Sequence, residues 1–172
     1  MKITRTDFPR MVKEYEPRIR RAAYVLTGSG EETEALTEEV FVAAFGALGR
    51  FKGKSSVYTW LYAILLRKFK KWLKAKKRRP QPLNEAALIK ENKAASSASE
   101  ILEKKELSKY LLEAISSLPE KERTALVSFY LEGMSYKEMA RMFKCPIGTI
   151  KSRLYYSKER VREELKSKGF DL

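Results

Sequence analysis

Ser135-Tyr136-Lys137-Glu138-Met139-Ala140-Arg141-Met142-Phe143-Lys144-Cys145-Pro146-Ile147-Gly148-Thr149-Ile150-Lys151-Ser152-Arg153-Leu154 is the stretch on which the fold turns. Ser135 and Glu138 have the spacing of a capping box, in which each side chain satisfies an orphan amide of the other at a helix start. The helix so opened is short, reaching Phe143, with Met139, Ala140 and Phe143 facing inward. Lys144-Cys145 turns the chain, with Cys145 read as a small apolar filler in preference to a redox sensor. Pro146 stands at the next helix start, where its missing N–H does no harm. A second amphipathic helix runs to about Lys166. A short capped helix, a tight turn and a second helix spell helix-turn-helix.

At about 100° per residue, Ile147, Ile150, Leu154, Val161 and Leu165 share one arc of the last helix and are expected to pack inward. Gly148, Thr149, Ser152, Tyr155 and Tyr156 point away, with Lys151 and Arg153 on the flanks. Small residues near a helix N-terminus let its backbone sink into a major groove. Lysine and arginine reach phosphates or guanine edges, serine bonds a base, and tyrosine offers a ring and a hydroxyl. A three-helix core with a decorated surface would carry the same polar face.

Upstream, Leu107 to Ser117 reads as a helix. Pro119 opens another, which ends at Glu132-Gly133 with the glycine as a left-handed cap. The N-terminal part is also helical in period. One helix spans Phe8 to Leu26, interrupted by Pro9 and Pro17 and stopped by Thr27-Gly28-Ser29-Gly30. Another spans Glu31 to Leu48, with Leu36, Val40, Ala43 or Ala44, and Ala47 or Leu48 on one stripe. After the loop Gly49 to Lys54, Ser55 or Ser56 caps a long helix to about Lys77. Arg79-Pro80-Gln81-Pro82 ends that block. The fold expected is all-α: two small helical domains, 4–79 and 107–168, joined by a flexible linker at 80–106. Such a linker would span roughly 30 Å, close to one duplex turn of about 34 Å.

Charge sharpens this division. The 172 residues carry 36 Lys+Arg, 22 Asp+Glu and a net charge of +14. Nine of the thirteen residues from Arg67 to Arg79 are basic and none is acidic, whereas five glutamates crowd between Glu31 and Glu39. One cationic face and a separate acidic patch follow, the first suited to a polyanion, although a solvated lysine-rich helix end would look alike. One Cys excludes an internal disulfide, and the absence of His removes the commonest metal ligand and general base. No apolar run is long enough to span a bilayer, and Met1-Lys2-Ile3-Thr4-Arg5 leads into no signal-peptide stretch. The expectation is a cytoplasmic, non-enzymatic protein that inserts in no membrane.

Leu118-Pro119-Glu120, Tyr130 to Ala140 and Cys145-Pro146-Ile147-Gly148-Thr149-Ile150-Lys151-Ser152-Arg153-Leu154 closely resemble the −35-binding domain of extracytoplasmic-function (ECF) sigma factors, a group within the sigma-70 family. Independently, Glu38-Glu39-Val40-Phe41 and Phe51-Lys52-Gly53-Lys54-Ser55-Ser56-Val57-Tyr58-Thr59-Trp60-Leu61-Tyr62 resemble that family's −10-binding domain. The Tyr58–Tyr62 stretch and the Cys-Pro-Ile-Gly-Thr turn are similar to the sigma-E-like branch.

The resemblance implies a specificity subunit of bacterial RNA polymerase, without catalytic residues, cofactor or metal. It implies docking of Glu34, Glu38 and Glu39 on a coiled coil of the polymerase β′ subunit, with further contact to the β subunit. Gly148, Thr149, Lys151, Ser152, Arg153, Tyr155 and Tyr156 would read duplex at the −35 element. Lys54, Ser55, Ser56 and Tyr58, with Phe51 lining, would capture a flipped base of the opened non-template strand. Arg67, Lys68, Lys70, Lys71 and Lys74 would hold the backbone beside it. Trp60, Leu61 and Ile64 are expected mainly in the core. An anti-sigma partner and a monomeric free state are implied too. The chain departs from the family pattern at Ala35, Glu38, Arg67, Lys71 and Tyr156. Two rivals remain: a free-standing helix-turn-helix regulator, for which no dimerisation heptad is visible, and a nucleic-acid-processing enzyme, for which no metal cluster, phosphate loop or activated nucleophile is visible.

Overall fold

A computed structural model describes residues 4–78 and 98–170. The chain divides into two compact units, Met1–Leu83 and Asn84–Leu172. Among the described residues every regular element is helical. In the first unit, α1 (Phe8–Thr27), α2 (Gly30–Ala47) and α3 (Val57–Arg78) pack around Ile19, Leu26, Val40, Leu61, Leu65 and Phe69. Gly28 ends α1 in the left-handed region at φ 70°, its N–H donating to the Tyr24 carbonyl at 2.8 Å. Glycine takes that conformation without the steric penalty a side chain carries.

The interruptions expected at Pro9 and Pro17 do not occur. Pro9 sits in the first turn, where no N–H is required. The helix runs straight through Pro17, an exposed position between buried Met11 and Ile19, and apolar contact on both sides outweighs the lost bond. A short 3-10 turn, Leu48–Arg50, leads out of α2. Of the two serines proposed to cap α3, Ser56 does so: its Oγ accepts the Thr59 N–H at 3.0 Å.

The second unit comprises α4 (Ala98–Ser117), α5 (Glu120–Leu126), α6 (Tyr136–Phe143) and α7 (Ile147–Ser167). The helix expected from Leu107 begins at Ala98, so the last part of the expected linker is helical. Glu100, Leu102, Lys104 and Glu106 are strong helix formers, which a search for linker composition underweights. The remainder of that linker, 80–97, lies outside the described residues. α5 was expected as one regular helix to Gly133. It widens instead into a π-helical turn, Val127–Leu131, where the Glu132 N–H reaches back to the Val127 carbonyl at 3.1 Å. Fully buried Ser128 donates its hydroxyl to the Thr124 carbonyl at 2.7 Å, a back-bond of the kind that bends helices. Gly133 closes the turn at φ 65°.

Ala125, Met139, Ile150 and Leu154 form a buried cluster, with Phe129, Met134, Ala140, Phe143 and Cys145 packed against it. Arg123 is the charged member of this interior. Its guanidinium donates to the carbonyls of Ser116 and Leu118, joining the end of α4 to α5. Burial lowers its pKa to about 10, leaving it charged at neutral pH.

Candidate nucleic-acid interface and docking faces

The helix-turn-helix rests on local chemistry that the residues dictate. Ser135 Oγ accepts the Glu138 N–H at 3.3 Å, while Glu138 Oε2 accepts the Ser135 N–H at 2.8 Å. The Ser135 hydroxyl also donates to Glu138 Oε2 at 2.7 Å, and this bond first, with that from the Ser135 N–H, holds the Glu138 carboxyl below its ordinary pKa of 4.5. Lys144 takes the left-handed conformation at φ 51°, and the Cys145 N–H returns to the Ala140 carbonyl at 3.1 Å. α7 then presents Gly148, Lys151, Ser152, Tyr155 and Tyr156 to solvent, with Thr149 and Arg153 half-buried at the edges. The two tyrosine rings are 58% and 56% exposed and meet edge to face with centroids 5.5 Å apart. In the free protein Ser152 Oγ donates to the Gly148 carbonyl at 3.1 Å. Such a bond is exchangeable for one to a base.

The inward arc needs two corrections. Ile147, expected to pack, is 39% exposed, because it is the first residue of α7 and lies beyond the edge of the packed face. Val161 is only half-buried. Ser157, which the polarity pattern passed over, is fully buried; its hydroxyl donates to the Leu154 carbonyl at 2.9 Å and so needs no water. Beside α7, the Tyr136 ring stacks on Phe129 at 5.1 Å and Lys151 Nζ lies 6.0 Å from the Tyr136 centroid.

In the first unit, Lys54, Ser55 and Ser56 are exposed on the loop before α3, together with Lys52, which the sequence criteria did not single out. Phe51 is half-buried, its ring 5.0 Å from that of half-buried Trp60. Leu61 and Ile64 are core, as expected. Tyr58 is not at the surface. Its ring is 9% exposed, flanked by Tyr15 and Tyr62 at 6.2 Å each and overlaid by the Arg18 guanidinium at 3.7 Å from the centroid. A residue two positions past the cap points back toward α1, which a linear motif cannot register.

Along α3, Arg67, Lys70, Lys71 and Lys74 follow i, i+3, i+4, i+7 spacing, share one face and are all exposed. Lys68 falls beside that face, half-buried, with Nζ 3.0 Å from Glu39 Oε2. Lys76 approaches Glu32 at 3.7 Å. The three glutamates assigned to docking are all exposed, yet they divide. Glu39 turns toward α3. Glu34 and Glu38 line a groove of about 500 Å³ between α1 and α2, together with Phe8, Val12, Phe41, Val42 and Phe45. Glu34 bonds Arg20, which also holds Glu16. Val42 is 67% exposed and Phe45 44%, apolar surface in a groove lined by three acids, Glu16, Glu34 and Glu38, and one base, Arg20, with the Arg5 guanidinium 5.6 Å from the Phe45 centroid. The signal of this surface was present in the sequence as apolar residues off the Leu36–Val40–Ala44 stripe.

Among the described residues no group of three His, Cys, Asp or Glu is placed to hold a metal ion. No described helix is long and apolar enough to cross a membrane.

Against known families, residues 11–79 match the model of sigma-70 region 2 and residues 108–161 match that of sigma-70 region 4. The chain is 32% identical over 161 residues to the ECF RNA polymerase sigma-E factor of Escherichia coli (strain K12), covering 90% of this chain and 84% of that protein. It is also 32% identical over 165 residues to the RNA polymerase sigma-H factor of Pseudomonas aeruginosa, covering 92% and 86%. Among solved structures, the sigma factor RpoE from Bartonella quintana, in complex with the anti-sigma factor NepR, has the same fold at a TM-score of 0.72 and 23% identity, covering 93% of this chain and 97% of that one. CnrH, in complex with the cytosolic domain of CnrY, gives 0.66 at 18% identity, covering 95% and 90%.

Proposed function

Because the chain belongs to the extracytoplasmic-function sigma factors of the sigma-70 family, and so serves promoter-specific transcription initiation, we propose a division of that work between its two units. Residues 4–79 dock on the RNA polymerase core and engage the −10 element, residues 107–168 read the −35 element, and the residues between them tether the two. The protein contributes binding rather than catalysis.

The observation that carries this reading is the opposed chemistry of two surfaces in the first unit. The acid-rimmed apolar groove around Glu34, Glu38, Val42 and Phe45 suits a helical partner with basic and apolar side chains, which fits a β′ coiled coil. Arg67, Lys70, Lys71 and Lys74 instead present one cationic face for a phosphate backbone. Glu39 contributes to docking once released from Lys68. Lys54, Ser55 and Ser56, with Phe51 at the edge, receive the flipped base of the non-template strand. In the second unit Gly148, Thr149, Lys151, Ser152, Arg153, Tyr155 and Tyr156 meet the major groove, and the β subunit supplies a further contact.

The similar fold solved in complex with the anti-sigma factor NepR supports an anti-sigma partner for this chain as well. We assign the free protein a monomeric state.

Run-off transcription with purified core polymerase tests this directly. Adding the chain should create discrete start sites preceded by common −10 and −35 sequences. Transcription no different from core alone, with tight binding of the free protein to a palindromic duplex, would instead favour a free-standing regulator.

A further inference from the structure

We propose that Arg18 is an additional contact for the opened promoter strand, its guanidinium stacking against an unpaired base while seated on Tyr58. This rests on the −10 role assigned to the first unit. The guanidinium carbon lies over the Tyr58 ring, 3.7 Å from its centroid, and so covers one face of that ring. Tyr58 is held in turn by Tyr15 and Tyr62 and is itself almost inaccessible. Arg18 remains exposed. The arrangement transfers a π-platform from a buried ring to an accessible cation.

A guanidinium is planar, delocalised and weakly hydrated, and stacks on nucleobases as it does on tyrosine. Anchoring by the ring lowers the entropy lost when a ligand arrives. Position favours the same conclusion. Tyr58 belongs to the first turn of α3, two residues beyond Ser56, so the Arg18–Tyr58 stack adjoins the loop whose Lys52 and Lys54 are exposed. Cations for the backbone beside a flat face for a base are the pair of features that single-strand sites combine. Without Arg18 the loop offers charge, and half-buried Phe51 is its only ring.

The test uses holoenzyme reconstituted from the full chain. Its probe is a fork-junction DNA from a promoter mapped by run-off transcription, duplex through −35 and unpaired on the non-template strand at −10. Arg18→Ala should weaken fork binding about tenfold. Arg18→Lys should fall nearly as far, since it keeps the charge and loses the plane. Binding to the duplex upstream fragment and retention on core should be unchanged in both. Wild-type fork binding by Arg18→Ala, full rescue by Arg18→Lys, or tighter binding by Arg18→Ala would each overturn the proposal. So would equal losses on fork and duplex, which would make Arg18 a packing residue. Lys54→Ala separates the two levels. If it weakens fork binding and Arg18→Ala does not, the −10 reading stands and the Arg18 contact falls. If neither variant has an effect, or no start site can be mapped, both fall.

Discussion

Lys68 Nζ and Glu39 Oε2 meet at 3.0 Å, an ion pair that joins a residue proposed for the DNA backbone to one proposed for polymerase docking. The two side chains are 28% and 58% exposed, so the pair is partly screened and is worth at most about 1 kcal/mol. It nevertheless means that each partner competes with the other's ligand.

Glu39→Gln should therefore release Lys68. We expect affinity of the chain for single-stranded DNA at low salt to rise by up to about fivefold, while retention on core polymerase declines. The double reversal Glu38→Lys with Glu39→Lys should reduce core retention strongly in a pull-down and leave the circular dichroism spectrum unaltered. Unchanged retention would move the docking surface elsewhere.

On α7, side chains that point to solvent should divide into base readers and backbone contacts. Changing Ser152 and Tyr156 together should alter which −35 sequences are preferred. Lys151→Ala should weaken all sequences alike and lower the salt slope by about one. Competition binding against a randomised −35 library distinguishes the two behaviours, and uniform loss in both cases contradicts the assignment of faces.

Arg123 ties the end of α4 to α5 through the carbonyls of Ser116 and Leu118. Arg123→Met keeps the stem and removes the donors, leaving the Ser116 and Leu118 carbonyls short of partners. A loss of about 1–3 kcal/mol is expected from that desolvation. Urea denaturation of the full chain, followed by circular dichroism, should record it as a lower midpoint for the second unit's transition with an unchanged slope.

The capping box predicts a pH dependence with a definite sign. The folded-state pKa of Glu138 lies below its ordinary 4.5, so its contribution is present above pH 4.5 and disappears as pH falls through the lowered folded value. The urea midpoint of the second unit should fall between pH 5.5 and 3. In Glu138→Gln, which can still reach the Ser135 N–H, that acid-side slope should flatten. An identical slope in both proteins would show that the box does not titrate with folding.

Much of this molecule is legible before any packing is known. Ser135, Glu138, Gly133 and Pro146 act within a few residues of themselves, through caps and turns, and each does what its chemistry dictates. The basic face of α3 also follows from spacing alone, because Arg67, Lys70, Lys71 and Lys74 are one face of any helix they form. Local pattern and structure part where distant elements meet. Polarity puts Ile147 on the packed arc and says nothing of Ser157; the ends of a helix overhang its partners, and a serine can be buried when the carbonyl one turn earlier accepts its hydrogen bond.

Chain order therefore determined the helices, their caps, the helix-turn-helix and the segregation of charge, since these depend on interactions between near neighbours. Tertiary packing alone decided that Tyr58 lies beneath Arg18, that Glu39 turns to Lys68 while Glu34 and Glu38 border a groove, and that Val42 and Phe45 remain open. Each of those outcomes depends on the angle at which one helix meets another remote in the chain. That angle is set by the combined fit of many side chains and is written in no single motif.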